Sequence, residues 1–210
     1  MDTAAQDPQS ILAAVNGSER FLVQQVFKPI GNEYRISIPS PGTTEEGSPL
    51  LFVKQKKLSI KEDIRFRLAP DADSHLFMIK SKTVFEFRGR HEVLDEHGQV
   101  LGSLEKAFGK SLLRSHWYVR DATGSELFEA HEASWVIAIV RRLLDVVSDW
   151  LPALVPFNFL LVSSGRQVGT YRRVLGKLRD RYVLELGPEF EGDRRLVLAF
   201  AVALDALQDR

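Results

Sequence analysis

Basic side chains in strand-like segments are the residues of this chain with the clearest potential to bind a ligand. Residues two apart in a strand lie on one face of a sheet, so cations at that spacing point together. The pairs are Lys54 with Lys56, Arg65 with Arg67, and Arg88 with Arg90. Arg172 and Arg173 open the most basic short stretch of the chain, 172–181.

This spacing predicts an anion-binding patch. Converging strands would gather the cations around a phosphorylated head group, which they would hold by charge-assisted hydrogen bonds. The alternative is a sheet exterior with scattered, solvated cations.

The candidate catalytic motifs of the chain lack the residue spacing that such motifs require. Gly109-Lys110-Ser111 ends like a phosphate-binding loop, but such a loop needs a glycine at position 104, which is leucine. The five histidines never stand four apart, and no serine, histidine and carboxylate set indicates a nucleophile. We predict no catalytic residue, no cofactor and no metal site, while an enzyme pocket assembled only in three dimensions stays open.

Charge and composition narrow the classes of partner and compartment. The chain has 28 basic residues (lysine plus arginine) and 28 acidic residues (aspartate plus glutamate). The molecule therefore has no overall positive field to attract nucleic acid, and we do not expect nucleic acid as a partner. Cysteine is absent, which excludes disulfides and thiolate sites and suits a reducing cytoplasm. The first residues are acidic and polar, so we expect neither a signal peptide nor a transmembrane span.

Many short runs rich in Val, Ile, Phe and Tyr alternate with turn residues, a pattern typical of a barrel or sandwich. The predicted strands are 20–27, 33–38, 50–57, 63–68, 75–80, 83–88, 90–95, 99–106, 115–120, 125–131, 157–162, 167–174 and 180–186. Residues 40–48 are predicted as a loop. Residues 1–19 are predicted as a flexible arm with a short helical possibility at 11–15, and 20–210 as a single domain.

Glycines mark the predicted hairpins. Gly98, Gly124 and Gly165 stand where a tight turn needs a positive φ. Gly102 and Gly169 follow two of these turns, where a side chain would crowd a curved sheet. The recurrence indicates a weak internal duplication, with chance similarity of hairpins as the alternative.

A first helix is predicted at about 132–151, where apolar residues recur at helical spacing. Its apolar arc is wider than one barrel wall needs. Trp135, Ile139 and Trp150 are therefore candidates for contact with a partner protein, a second copy or a membrane surface. Packing against the chain's own barrel is the alternative.

A second helix is predicted from Asp193 to the C-terminus, and every residue from Leu196 to Leu204 is apolar. This run is far short of the ~20 residues that span a bilayer, so protein must enclose it. A helix of about 15 residues is about 22 Å long, the height of a small barrel. The predicted fold is mainly β (α+β), a closed antiparallel barrel of about twelve strands around a buried C-terminal helix.

Several segments together resemble the tubby-like superfamily, in the branch of phospholipid scramblases and LURP-one-related proteins. They are Asn32-Glu33-Tyr34, the residues DEHGQVLG at 95–102, WYVRD at 117–121, DRYVLE at 180–185, and Asp205 in the final helix. The resemblance implies a twelve-stranded barrel around a hydrophobic helix. It also implies phosphoinositide binding through basic residues, as in tubby proteins, or a scramblase's membrane attachment. The chain lacks the scramblase's cysteines, proline-rich arm and acidic calcium loop.

The leading hypothesis is a non-enzymatic, cytoplasmic binding module that recognises an anionic phospholipid, or a protein at the membrane surface. The second is a structural protein that self-associates through the 132–151 helix. The third is scramblase-like activity or an unrecognised enzyme.

Overall fold

The computed structural model describes residues 7–27, 32–55, 63–80, 90–107, 116–133, 158–174 and 181–206. These ranges contain helix α1 at Pro8–Gly17, helix α2 at Arg194–Ala206 and twelve strands. The strands are β1 Arg20–Phe27, β2 Asn32–Pro39, β3 Glu46–Gln55, β4 Ile64–Arg67, β5 Phe77–Lys80, β6 Arg90–Asp95, β7 Val100–Lys106, β8 His116–Asp121, β9 Glu126–Glu132, β10 Asn158–Ser163, β11 Arg166–Arg173 and β12 Arg181–Leu186.

The twelve strands form one closed antiparallel barrel in which each strand pairs with its neighbours in sequence. The barrel closes where β1 pairs with β12, with Arg20 opposite Glu185 and Gln24 opposite Arg181. Closure removes the free strand edges that would otherwise pair with other chains. The predicted fold class is confirmed.

Helix α2 runs through the barrel as its core. Every residue from Leu196 to Leu204 is 0 % exposed. The ring of Phe200 lies edge-on to Trp117, Phe128 and Phe159, with ring centroids 5.6 to 6.4 Å apart. Burial of each large apolar side chain contributes roughly 1.5–3 kcal/mol, so this helix is a principal source of stability.

Polar contacts fix both ends of α2. At its start, the Asp193 carboxylate accepts a hydrogen bond from the backbone N–H of Arg195 at 2.9 Å, as expected of the predicted N-cap. At its end, the Asp205 carboxylate accepts hydrogen bonds from the hydroxyls of Tyr34 at 2.8 Å and Tyr182 at 2.7 Å. The two tyrosines therefore tie the helix to the barrel wall.

The segment predicted as an arm contains α1. Its N-cap, Asp7, accepts a hydrogen bond from the Ser10 backbone N–H at 3.0 Å, and Ile11 and Val15 are buried in the common core. The division of the chain into an arm and one barrel domain stays a prediction.

The turn glycines have the positive φ values that the tight turns need. Gly98, Gly124 and Gly165 have φ values of 79°, 86° and 77°. A Cβ at Gly102 would overlap the Arg120 carbonyl oxygen, and one at Gly169 would lie 2.7 Å from the Glu185 carbonyl oxygen. These close approaches confirm the predicted crowding, whereas the internal duplication stays a prediction.

Two boundaries in the structure differ from the predicted ones. Strand β3 begins at Glu46, so residues 46–48 of the predicted loop pair with β2, because backbone hydrogen bonds need no apolar pattern. Glu132, predicted as the start of a helix, is the last residue of β9. The predicted strand 83–88 and the rest of the 132–151 helix lie outside the described residues, apart from Ala133.

Alternating strand direction gives the barrel two distinct ends. The turn end carries the hairpin turns, including those at Gly98, Gly124 and Gly165, and α2 enters the barrel there. The connection end is the opposite one, where β1, β3, β5, β7, β9 and β11 end and where β2, β4, β6, β8, β10 and β12 begin. Among the described residues, neither helix is long and apolar enough to cross a membrane.

The substitution Gly102→Ala tests the packing of the wall against α2. The new Cβ would overlap backbone and lie 2.9 Å from the Leu196 methyl groups, so we expect a loss of about 1–3 kcal/mol in the free energy of unfolding, measured in urea. The control is Gly17→Ala, where no heavy atom lies within 4 Å of the new Cβ. Equal stability of the two variants would contradict the close packing of β7 on α2.

Candidate functional site

The structure brings three of the predicted anion-binding residues together. Lys54 on β3 pairs in register with Arg65 on β4, and Arg67 follows two residues later on the same outward face. Arg90 begins β6, while Arg172 and Arg173 lie on β11, four strands from β3 around the barrel. The other candidates lie outside the described residues: Lys56, Arg88, Trp135, Ile139 and Trp150.

A hollow of about 140 Å³ opens on the outer wall where these cations meet. We name it the β2–β4 hollow, and its lining is Val26, Glu33, Tyr34, Arg35, Phe52, Val53, Lys54, Arg67 and Pro70. Among the lining residues, three cations face one carboxylate. The hollow therefore carries a local positive charge in a chain whose net charge is zero.

Arg35 is a member of this site that the sequence prediction missed. It is the only cation in β2, so the rule of two-residue spacing could not select it. Strand register supplies the link, because Arg35 lies opposite Phe52 and Phe52 lies opposite Arg67. The Arg35 guanidinium carbon is 5.8 Å from the centroid of the Phe52 ring, so a half-buried aromatic ring lies between two arginines.

The cations of the hollow are only loosely neutralised. Lys54 Nζ is 3.8 Å from Glu33 Oε1, and the Lys54 side chain is 50 % exposed. Arg67 Nε is buried and has no hydrogen-bond acceptor among the described residues. A buried donor without an acceptor costs roughly 1–3 kcal/mol, which an anionic ligand that supplied the acceptor would offset.

The pKa of His75, in the loop between β4 and β5, depends on the positive charges beside the hollow. Burial first, and then the positive charges of Arg65 and Arg67, hold the pKa of His75 below its ordinary value of 6.5. Asp63 and Glu96 act in the opposite direction but do not cancel this effect. The imidazole therefore stays neutral at physiological pH.

The cations of β11 have a different environment. Arg172 is 3.4 Å from Glu185, which also pairs with Arg20 at 3.0 Å. A carboxylate shared by two guanidiniums leaves Arg172 partly neutralised. Arg172 therefore has a closer carboxylate partner than Lys54 has in the β2–β4 hollow, while its role in binding an anion stays a prediction.

Two histidines meet on the outer face of β8 and β9. His116 lies opposite His131, with ring centroids 5.9 Å apart, and His116 Nε2 is 3.0 Å from Glu129 Oε2. Even so, the described ranges contain no group of three or more His, Cys, Asp or Glu residues that could hold a metal ion.

Comparison with known protein families identifies the family of this chain. The model of the LURP-one-related family matches residues 50–205, about three quarters of the chain, from β3 to the last turn of α2. No curated protein matches the chain. The matched segment includes Phe52, Lys54 and Arg67 of the hollow, whereas Arg35 precedes it.

The substitution Arg67→Gln tests the electrostatic coupling to His75. Removing one of the two neighbouring cations should raise the pKa of His75 toward its ordinary value, which an NMR titration of the imidazole measures directly. Arg172→Gln, on a distant wall, should leave that pKa unchanged. An unchanged pKa in Arg67→Gln would mean that Arg67 does not contribute to the shift, which burial and Arg65 would then cause.

The same shift predicts a pH dependence of stability. Because the folded state holds His75 below its ordinary pKa, the unfolded state binds more protons as the pH falls below 6.5. This group therefore lowers the free energy of unfolding on acidification. His75→Asn should lose less stability than wild type between neutral and mildly acidic pH in urea titrations; an equal loss would contradict the assignment.

Proposed function

Because the chain belongs to the LURP-one-related family, in the tubby-like superfamily, we propose that it is a non-enzymatic binding module for an anionic lipid head group. The β2–β4 hollow is the proposed site, and the module acts at the cytoplasmic surface of a membrane. The observation that carries the proposal is the convergence of Arg35, Lys54 and Arg67 from three strands onto one hollow.

The side chains of the hollow suit a phosphate group. The planar guanidiniums of Arg35 and Arg67 can each donate two parallel hydrogen bonds to phosphate oxygens, while Lys54 supplies a point charge. Phe52 provides an apolar surface beside them, against which the carbon skeleton of a head group can pack. Glu33 limits the positive charge and favours ligands whose hydroxyl groups can donate to it.

The size of the hollow limits what can enter it. Pockets for drug-sized ligands are typically 300–1,000 Å³, and this hollow is about 140 Å³. It can accept a phosphate with part of a head group, but not an acyl chain. The rest of the lipid would therefore stay in the bilayer beside the wall.

The lining offers little chemistry beyond binding. The described residues of the lining include no serine, threonine, cysteine or histidine, and the Tyr34 hydroxyl donates a hydrogen bond to Asp205 of the central helix. The carboxylate of Glu33 could act as a base, but these lining residues offer it no serine, threonine or cysteine nucleophile to activate. This supports binding rather than catalysis at the hollow.

Self-association and scramblase-like activity are the two other hypotheses for this chain. Self-association or partner binding through the 132–151 helix depends on residues outside the described ranges, and it stays a prediction. Scramblase-like activity also stays a prediction, and the absence of cysteine from the sequence argues against the usual membrane attachment of that branch.

The hollow is tested with inositol trisphosphate as a soluble head group, by calorimetric titration at low salt. Arg35→Gln and Arg67→Gln should each weaken binding about ten-fold or more, because each removes hydrogen bonds to a charged acceptor. Arg172→Gln is the matched control and should bind like wild type, since Arg172 lies on the far wall paired with Glu185.

Two results would overturn this proposal. One is a wild-type protein that does not bind the trisphosphate. The other is an equal loss of affinity in all three variants, which would mean that scattered charge and not the hollow binds the ligand.

A further inference from the structure

A row of outward-facing residues continues from the β2–β4 hollow to the seam where the barrel closes. Gln24 on β1 lies opposite Arg35 on β2 and opposite Arg181 on β12. Gln24 also precedes Val26, a lining residue of the hollow, by two positions, so the two side chains share one face of β1. Arg181 and Gln24 therefore lie directly beside the hollow.

Two polar atoms in this row are buried and lack hydrogen-bond partners. Nε of Arg181 and Oε1 of Gln24 have no partner among the described residues, and the same holds for Arg67 Nε inside the hollow. Gln24 as a whole is only 6 % exposed. Buried donors and acceptors without partners are costly to a folded protein. A ligand that carries an anionic oxygen and a hydroxyl group would satisfy both atoms.

A carboxylate of the chain itself binds Arg181. Glu45 belongs to residues 40–45, which link β2 to β3 and which we name the hairpin tip. Glu45 Oε2 accepts a hydrogen bond from Arg181 Nη1 at 2.7 Å. A phosphate group can accept two parallel hydrogen bonds from one guanidinium, whereas Arg181 Nε lacks an acceptor among the described residues. Glu45 therefore resembles a ligand anion but satisfies Arg181 incompletely.

The hairpin tip reaches Arg181 because the β2–β3 hairpin is bent. Arg181 is level with Arg35 in the sheet, whereas β2 continues from Arg35 to Pro39, a distance of about 13 Å. A straight hairpin would hold Glu45 beyond the reach of Arg181. Two bulges interrupt the pairing of β2 with β3, and bulges bend the strand that contains them. The tip therefore folds back toward β12 on the outer side of the barrel.

The outer wall of β1 and β12 is closed to solvent in this arrangement. Leu22 and Val183 lie opposite each other across the seam, and each alternates with residues of the core, so both point outward. Each is nevertheless 0 % exposed. The wall beside Gln24 and Arg181 is therefore covered, and a ligand reaches these two side chains only when the cover moves.

We propose that the hairpin tip is a gate over a second anion subsite, which Arg181 and Gln24 form beside the β2–β4 hollow. Glu45 holds the gate shut, and a head group in the hollow opens it when an anionic oxygen replaces Glu45 on Arg181. This inference rests on the proposed function and adds its regulation. Exposed ion pairs contribute little to stability, and the Glu45 side chain is 53 % exposed, so the exchange is feasible.

The substitution Glu45→Gln tests the gate by calorimetric titration with inositol trisphosphate at low salt. The neutral amide competes poorly for Arg181, so we expect binding about five-fold tighter than that of wild type. Glu46→Gln is the matched control, because it removes the same charge from the adjacent residue, which is also exposed. It should bind like wild type.

A double substitution separates competition from a purely structural role of the ion pair. The gain in affinity of Glu45→Gln should disappear when Arg181→Gln is added, because the subsite that the gate covers is then lost. A carboxylate that only holds the hairpin in place would give no gain at all. Urea titration of each variant shows that it is folded under the conditions of the binding measurement.

The outcomes separate this inference from the proposed function. The gate is overturned if Glu45→Gln binds no tighter than wild type, if Glu46→Gln gains as much, or if the gain survives Arg181→Gln. This holds even when the hollow variants Arg35→Gln and Arg67→Gln still weaken binding. A gain that depends on Arg181, together with hollow variants that bind like wild type, overturns the hollow alone. Absence of binding in both wild type and Glu45→Gln overturns the gate and the hollow together.

Discussion

The need to remove one apolar helix from water shapes this molecule. Leu196 to Leu204 form nine consecutive apolar residues, each fully buried, in a helix too short to cross a bilayer. Twelve strands close around it, and the wall approaches it so tightly that Gly102 has no room for a side chain. The Asp205 carboxylate, held by two tyrosines, fixes the far end of the helix.

Because α2 fills the interior of the barrel, a binding site has to lie on the outside of the sheet. Small barrels that bind ligands inside keep their lumen free, whereas α2 occupies the lumen here. A ligand therefore has to bind the outer wall or one end, where alternation along each strand presents every second residue. Arg35, Phe52 and Arg67 lie side by side for this reason, on three neighbouring strands whose inward residues pack against the core.

The local sequence pattern predicted the fold, but it did not predict every residue of the candidate site. Alternating apolar residues, turn glycines and the continuous apolar run at 196–204 identify the strands, the hairpins and the central helix. Arg35 could not be found this way, because its neighbours depend on how β2, β3 and β4 align, and a bulge at Ile36/Ser37 shifts that alignment. The carboxylate partner of Arg172, Glu185, could not be read from the sequence for a similar reason, since it depends on the register of β11 with β12.

Hydrogen exchange of the backbone amides of α2 tests the central claim most directly. If the helix is enclosed by a closed barrel, the amides of residues 196–204 can exchange only when the barrel opens. Their exchange free energies should then equal the free energy of global unfolding measured in urea. Exchange of these amides at a clearly lower free energy than those of the strands would show that the helix leaves the barrel on its own, and would contradict the architecture described.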